Sequence, residues 1–122
     1  MAKMTLERLE QFNDAWARGD VATLMTFMTD DCIYQASVGP EPGETFSGRA
    51  AVEAGFHRML TFDGDSESRG GRCAVMGDLG IAEWSYVRNE GGRSVETRGC
   101  DIFEFVGDRI RRKDAFRKTF IR

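Results

Sequence analysis

Residues 98–118 read RGCDIFEFVGDRIRRKDAFRK, and this stretch decides how the chain folds. Two runs of strand-like residues flank Gly107-Asp108, a dipeptide that suits a two-residue hairpin turn. If only those two residues form the loop, Asp101 lies directly opposite Asp114. Side chains alternate between the two faces of a strand, so the face of this pair can be followed along the hairpin. It carries the apolar side chains Phe103, Phe105, Ile110 and Phe116. The register therefore predicts a buried face with two adjacent carboxylates.

Such a carboxylate pair has two interpretations. Like charges directly opposed across a strand pair destabilise a sheet, unless one is protonated or a cation lies between them. In an apolar pocket, Asp101 and Asp114 would act as a pair, the protonated member donating while the ionised member accepts a proton or orients a water. Alternatively, one of them forms a structural salt bridge with Arg112, one diagonal away, or with Arg98. A change of one residue in the loop would remove the pairing.

The composition predicts one folded domain over residues 1–122, with 41% apolar and 30% charged residues. No apolar run approaches the roughly 18 residues of a membrane span, and the first residues lack the apolar stretch of a signal peptide. The three cysteines are odd in number and widely spaced, which is typical of free thiols in a cytoplasmic protein. With one histidine and no paired cysteines, we expect neither a metal site nor a cofactor.

Basic residues are concentrated at the end of the chain, where residues 109–122 hold seven of the 17. Such a stripe suits phosphates or an acidic partner. Aromatic side chains that could stack on bases are not interleaved on that face. We therefore expect a solvated strand face and a charged tail, with no nucleic-acid or membrane partner.

Hydrophobic periodicity predicts helices at about 5–18, 21–28 and 49–61, and Asp30-Asp31 is expected to close the second helix and begin a turn. Strands are expected at about 32–38, 67–76, 79–89, 95–106 and 109–119, the last four as an antiparallel meander. Helices that precede an antiparallel sheet indicate an α+β fold with the helices on one sheet face. A curved sheet with helices on its concave face leaves a cavity, where a small ligand would bind.

Aromatic residues provide most of the candidate ligand contacts. Trp84 and Tyr86 share one face of a strand, and the phenol of Tyr34 on the first strand is a second candidate donor. The same residues are equally consistent with an ordinary core. The full candidate set is Phe12, Trp16, Tyr34, Phe56, Trp84, Tyr86, Phe103 and Arg112. His57 lies at the margin of the third helix, where we expect a surface or boundary histidine.

The order helix–helix–strand–helix–meander resembles the nuclear transport factor 2-like superfamily. Three motifs agree: ARGDVATLMTFMTDDCIYQ at 17–35, FSGRAAVEAGF at 46–56 and CDIFEFVGDRI at 100–110. The closest groups are SnoaL-like polyketide cyclases, ketosteroid isomerases and their unassigned bacterial relatives. The resemblance implies a cone-shaped curved antiparallel sheet with three helices on its concave face. It also implies a homodimer through the convex sheet face.

The isomerase resemblance can be followed residue by residue. Asp101 matches the acid partner of the isomerase oxyanion hole. The position of the general base is Ala36, and two tyrosine positions are Phe12 and Phe56. Because alanine cannot remove a proton, we do not expect ketosteroid isomerisation by the family's mechanism.

Two further groups are matched only in part. The cyclases carry a histidine and an aspartate near the end of the sheet; Asp114 lies close to their acid-base position, but no histidine follows His57. A related epoxide hydrolase group uses an Asp-Arg-Asp arrangement, and the strand matching its Arg-x-Asp reads Trp84-Ser85-Tyr86.

We therefore predict a SnoaL-like pocket protein that acts as a cofactor-free acid-base enzyme of isomerase, cyclase or hydrolase type. Its substrate would be a small hydrophobic oxygenated ring compound. Asp101 would be the acid or oxyanion donor and Asp114 its charged partner. The alternative is a non-catalytic module of the same fold that binds a small ligand or dimerises.

Overall fold

Three helices and six strands build the fold in a computed structural model, which describes residues 2–121. The helices are α1 (Leu6–Ala17), α2 (Val21–Thr26) and α3 (Arg49–Phe62). The strands are β1 (Met28–Gln35), β2 (Thr45–Ser47), β3 (Glu67–Met76), β4 (Leu79–Glu90), β5 (Arg93–Val106) and β6 (Arg109–Arg117). They form one sheet in the order β2-β1-β6-β5-β4-β3. Only β1 and β6 run parallel to each other. None of the three helices has the length and hydropathy of a membrane span.

Side-chain caps fix the starts of the first two helices. The side chains of Thr5 and Asp20 each accept a hydrogen bond from the backbone amide three residues ahead, which satisfies a free donor of the first turn. Along α1, Leu9, Phe12 and Ala15 recur at intervals of three and are buried. This apolar stripe packs α1 against the sheet.

Helix α3 approaches β2 closely because Gly55 has no side chain. A Cβ at this position would lie 2.7 Å from Cδ2 of Phe46, well inside van der Waals contact. The Phe46 ring in turn stacks on Tyr34 of β1 at 5.9 Å between centroids. The short β2 strand thus closes one edge of the core.

The core lies between the helices and one face of the sheet. At its centre, the ring of Phe12 meets Phe27, Phe56 and Phe103 edge to face, with centroid distances of 5.6, 6.4 and 5.9 Å. Such contacts add to the hydrophobic gain from burial. The opposite face of the sheet carries no helix, and we call it the helix-free face. Its exposed apolar side chains are Met76, Leu79, Ile81, Ile102 and Phe116.

The predicted fold class is confirmed: an α+β chain with three helices on the concave face of a curved sheet. The helix positions and the four meander strands agree with the sequence to within a few residues. Two details differ. Asp30 and Asp31, predicted to end α2 and begin a turn, lie inside β1. Strand β2 was not predicted, because three residues are too few for an alternating pattern.

The hairpin turn is confirmed, but the register beyond it is wrong. Gly107 adopts a φ of 61°, which glycine reaches without steric cost, and Phe105 pairs with Ile110 as predicted. Arg111 is then an extra residue, a β-bulge, so that Glu104 pairs with Arg112. A shift of one residue exchanges the faces of every later side chain.

The predicted Asp101–Asp114 pair is therefore also wrong. Asp101 faces Ala115, while Asp114 faces Ile102, which is 37% exposed on the helix-free face. Phe116, predicted to be buried, is 49% exposed. Beyond the bulge, the residues that point toward the helices are instead Lys113, Ala115 and Arg117.

Candidate ligand-binding site

A cavity of about 210 Å³ lies between the helices and the concave face of the sheet. Its volume equals about seven waters at roughly 30 Å³ each, and is smaller than the roughly 300–1,000 Å³ of drug-sized pockets. The side chains that dominate its chemistry are Trp16, Tyr34, Trp84, Tyr86, Asp101 and Lys113. The cavity therefore suits a compound of about one ring, held between aromatic walls and charged groups.

Asp101 and Lys113 form a buried ion pair at the cavity wall. They are diagonal neighbours on β5 and β6, with Nζ 3.2 Å from Oδ1 and side chains only 8% and 4% exposed. Trp84 Nε1 donates to the same Oδ1 at 3.1 Å. The other oxygen, Oδ2, has no hydrogen-bond partner among residues 2–121. One oxygen of the carboxylate is thus held by the protein, and the other is available to a ligand.

Aromatic rings surround the Lys113 ammonium in place of water. Its Nζ lies 4.2 Å from the centroid of Trp16 and 4.9 Å from that of Tyr34. Attraction between a cation and the face of an aromatic ring offsets part of the cost of burying the charge. Trp16 in turn donates through Nε1 to the hydroxyl of Tyr86 at 2.9 Å. The ammonium, the indole and the phenol form one connected wall.

A second ion pair joins the end of α3 to β6. Arg117 Nη2 lies 2.8 Å from Oδ2 of Asp63, Nη1 donates to Oδ1 at 3.3 Å, and Nε donates to Ser37 Oγ at 3.0 Å. Its guanidinium lies 5.2 Å from the ring centroid of Trp84. A two-pronged Arg–carboxylate contact fixes both side chains. Arg117 therefore supports the wall that carries Trp84.

Both tyrosines of the cavity remain protonated at neutral pH. Burial raises the pKa of Tyr34 well above its usual range, and the negative charge of Asp101 raises it further. Burial raises the pKa of Tyr86 to about 12, although the hydrogen bond from Trp16 acts in the opposite direction. The Tyr34 hydroxyl has no hydrogen-bond partner within residues 2–121, and Tyr86 only accepts. Each phenol can therefore donate a proton to a ligand oxygen.

The structure does not bring Asp114 or Arg112 to the cavity. Arg112 lies on the helix-free face, where it donates to Gln35, Glu104 and Asp114. Its Nη2 is 3.2 Å from Asp114 Oδ2. Partial burial raises the pKa of Asp114, with smaller contributions from the carboxylates of Asp101 and Glu104, while Arg112 opposes the shift.

The other predicted contacts divide into two groups. Five line the cavity: Phe12, Trp16, Tyr34, Trp84 and Tyr86. Phe56 and Phe103 are fully buried behind its wall. His57 is exposed on α3 and does not line the cavity.

Sequence reasoning missed Lys113, Arg117 and Asp63. Lys113 and Arg117 were assigned to the solvated face of the last strand, and Asp63 was given no role. The sequence does contain one signal for this pairing. Basic residues such as Arg111, Lys113 and Arg117 lie next to the positions of β6 that were predicted to face inward, and a shift of one residue could bring one of them to neutralise Asp101. Only the bulge at Arg111 makes that pairing possible.

The basic residues near the end of the chain do not form one continuous surface. Lys113 is buried, Arg117 pairs with Asp63, and Arg111 lies 3.3 Å from Asp31. Arg122 lies outside the described residues. Within residues 2–121, no group of three His, Cys, Asp or Glu side chains is arranged to hold a metal ion.

Comparison with solved structures agrees with this architecture. A nuclear transport factor 2-like protein of unknown function from Mesorhizobium loti is 21% identical, with a TM-score of 0.76 over 93% of this chain and 89% of that one. A cystatin-like fold protein from Xanthomonas campestris is 20% identical, with a TM-score of 0.77 over 95% and 92%. A protein from the same species that is provisionally assigned as a polyketide cyclase is 20% identical, with a TM-score of 0.67 over 90% and 87%.

At these identities the solved structures establish the fold alone. None of the curated proteins compared with the chain matches it significantly. Residues 9–113, however, match the family described as SnoaL-like domain, which covers the cavity from Phe12 to Lys113. The chain therefore belongs to the SnoaL-like domain family, and its fold is that of the nuclear transport factor 2-like structures.

Proposed function

We propose that this protein is a cofactor-free acid-base enzyme of isomerase, cyclase or hydrolase type, acting on a small hydrophobic oxygenated ring compound. One observation carries the proposal. Lys113 and Trp84 both contact Oδ1 of Asp101, and Oδ2 is left without a partner in a cavity of about 210 Å³. An ionised carboxylate oriented in this way is suited to accept a proton.

The proposed chemistry is a proton transfer next to a carbonyl group. Asp101 Oδ2 takes a proton from the carbon beside the carbonyl, and the electron pair moves onto the carbonyl oxygen. The Lys113 ammonium stabilises the negative charge that develops there. The protonated Asp101 then returns the proton to another atom of the substrate, so that the step needs no outside reactant.

These roles differ from the sequence-based ones. Asp101 was expected to be the acid, with Asp114 as its charged partner. In the structure the partner of Asp101 is an ammonium at 3.2 Å and not a second carboxylate, which supports the role of a base. Lys113, which is diagonal to Asp101, takes the role of charged partner that the sequence assigned to Asp114.

Exchange with deuterated water tests the proton transfer. Wild-type protein should accelerate deuterium incorporation next to the carbonyl of at least one compound in a panel of one-ring ketones and diketones, followed by NMR. Asp101→Asn should reduce that acceleration at least about 100-fold, the lower range of general-base catalysis. Asp114→Asn, the matched change on the helix-free face, should stay within about twofold of wild type. Equal rates for wild type and Asp101→Asn would disprove the mechanism.

A second candidate function is ligand binding without catalysis. Three positions that match catalytic groups of the ketosteroid isomerases favour it. They are occupied by Phe12, Ala36 and Phe56, which are buried and carry no titratable group. In that case the exchange rate would stay at the buffer level, while one-ring compounds still raise the melting temperature.

We also propose that the protein forms a homodimer through the helix-free face. Ile81 pairs with Ile102 across β4 and β5, and both are at least 36% exposed beside the half-exposed ring of Phe116. Apolar side chains grouped on an open sheet face are typical of an interface. The free thiols of Cys32, Cys73 and Cys100 favour a reducing compartment, so we propose a cytoplasmic location.

A further inference from the structure

The buried charges of the cavity already neutralise one another. Lys113 pairs with Asp101 at 3.2 Å, and Arg117 pairs with Asp63 at 2.8 Å. All four side chains are at least 87% buried. A charged ligand group that entered this space would lose its water without finding an unpaired counter-ion. Burying such a charge is costly, whichever its sign.

The mouth of the cavity adds a bias against anions. Glu10 and Asp14 lie one turn apart on α1, line the cavity and have no ion-pair partner within residues 2–121. The other charged residues at the mouth are already paired, Arg69 with Glu67 and Glu83 with Arg72. The two free carboxylates therefore leave a negative potential where a ligand enters.

The unused hydrogen-bonding groups define what the ligand must offer. Oδ2 of Asp101 accepts no hydrogen bond from residues 2–121. Because none of their fully buried side-chain oxygens lacks a partner, this oxygen is accessible from the cavity and can accept from a ligand donor. Tyr34, 1% exposed, and Tyr86, which only accepts from Trp16, both have a proton to donate. A ligand that satisfies these groups carries a hydrogen-bond donor and an acceptor together.

We propose that the cavity selects an uncharged compound of about one ring whose polar groups both donate and accept a hydrogen bond, such as a hydroxyketone or the enol form of a diketone, and rejects carboxylates. This inference rests on the proposed function and narrows its substrate class. It also states the role of Glu10 and Asp14, which the proton transfer does not use.

Benzyl alcohol, benzylamine and benzoate test the selection, because they differ little in size but carry charges of zero, plus one and minus one at neutral pH. Affinities are measured by NMR titration at low salt. Benzyl alcohol should bind at least about tenfold more tightly than benzoate and more tightly than benzylamine. Benzyl methyl ether, which lacks the donor, should bind at least about fivefold more weakly than benzyl alcohol.

Variants separate the effect of the mouth from that of the interior. In Glu10→Gln/Asp14→Asn, the affinity of benzoate relative to benzyl alcohol should rise at least about threefold, and added salt should have the same effect in wild type. Glu53→Gln is the control, because Glu53 is exposed on α3 and does not line the cavity. It should leave the ratio unchanged.

The outcomes are distinct. Benzoate or benzylamine as the tightest ligand would overturn the charge selection but not the proton transfer, which the exchange assay measures independently. A ratio that does not respond to the Glu10/Asp14 change would overturn the role of the mouth. If none of the four compounds binds, both the selection and the ligand-binding function proposed for the cavity are wrong.

Discussion

Two ion pairs on β6 have the same length and different burial, which makes their energies a test of the whole site. Lys113–Asp101 and Arg112–Asp114 are both 3.2 Å apart. The first pair is 4% and 8% exposed, and the second is 37% and 23% exposed. With an effective dielectric constant of about 20, Coulomb's law gives an attraction of about 5 kcal/mol at this distance. Solvent screening reduces an exposed pair to about 0–1 kcal/mol.

Double-mutant cycles measure the two couplings separately. Lys113→Met and Asp101→Asn each leave a buried partner without its counter-charge, so we expect each to cost about 3–5 kcal/mol. The double variant should recover at least about 3 kcal/mol relative to the sum of the single changes. The matched cycle uses Arg112→Met and Asp114→Asn, and its coupling should not exceed about 1 kcal/mol. Unfolding free energies are measured by urea titration. Only variants with the same m-value, the slope of the free energy against urea concentration, are compared, so that each value reports cooperative unfolding.

The cycles also test the hairpin register. If β6 had no bulge at Arg111, Lys113 would face outward and Arg112 would lie on the buried face between Asp101 and Asp114, so Arg112→Met would be the costly change. A larger coupling for Arg112–Asp114 than for Lys113–Asp101 would therefore refute both the register and the site. Equal couplings would show that burial does not control the two pairs.

Three further predictions concern other parts of the site. Tyr34 and Tyr86 are the only tyrosines in the sequence, so the tyrosinate absorbance of the folded protein should be nearly absent at pH 11, and full absorbance at that pH would contradict the raised pKa values. Because the pKa of Tyr86 is raised from 10 to about 12, its contribution of about 3 kcal/mol to stability should be lost as pH rises through that interval. Gly99→Ala would place a Cβ against the backbone oxygen of Phe116 and 2.5 Å from Cη2 of Trp84, so we expect a loss of about 1–3 kcal/mol in urea unfolding and a shifted indole N–H resonance. An unchanged spectrum would argue against this packing. Ile102→Glu should convert a dimer to a monomer in analytical ultracentrifugation without changing the far-ultraviolet circular dichroism, whereas a wild-type monomer would exclude the proposed interface.

Much of the fold could be predicted because its signals are local. The apolar spacing of α1, the cap at Asp20 and the turn at Gly107-Asp108 each depend on residues a few positions apart. Alternation along the meander strands is similarly local. The pairing of β1 with β6 is not, because it joins residues about 80 positions apart and reverses the usual antiparallel order. No periodicity within either strand indicates it.

The ends of β1 show how a tertiary contact overrides local preference. Asp30 and Asp31 are common turn residues, and sequence reasoning placed the turn there. In the structure the chain enters β1 directly after Phe27, whose carbonyl accepts a hydrogen bond from Ile110 at 2.7 Å. Asp31 then lies beside Arg111, the bulged residue of β6. The irregular part of β1 and the bulge of β6 thus occur side by side, and neither is visible in one strand alone.

The spacing of two buried residues in β6 determines which side chains reach the site. Ile110 and Ala115 are both buried, yet they are five positions apart, and a regular strand would send them to opposite faces. With Ile110 fixed by the turn, an unbroken strand would bury Phe116 and place Asp114 against Asp101. The bulge exposes Phe116 and buries Lys113 instead. Hydrophobic burial favours the regular strand by about 1.5–3 kcal/mol for one phenylalanine.

Electrostatics acts in the opposite direction and favours the bulge. Two buried carboxylates side by side repel, so that one must take up a proton, whereas the bulged strand places an ammonium 3.2 Å from the same carboxylate. The attraction of about 5 kcal/mol acts against the desolvation of the two charges, and the aromatic faces of Trp16 and Tyr34 offset part of that cost for Lys113. The opposed aspartates that the sequence suggested were therefore evidence against the regular register. Because the bulge relieves the conflict by exchanging the faces of β6, it also brings Lys113 to the cavity wall.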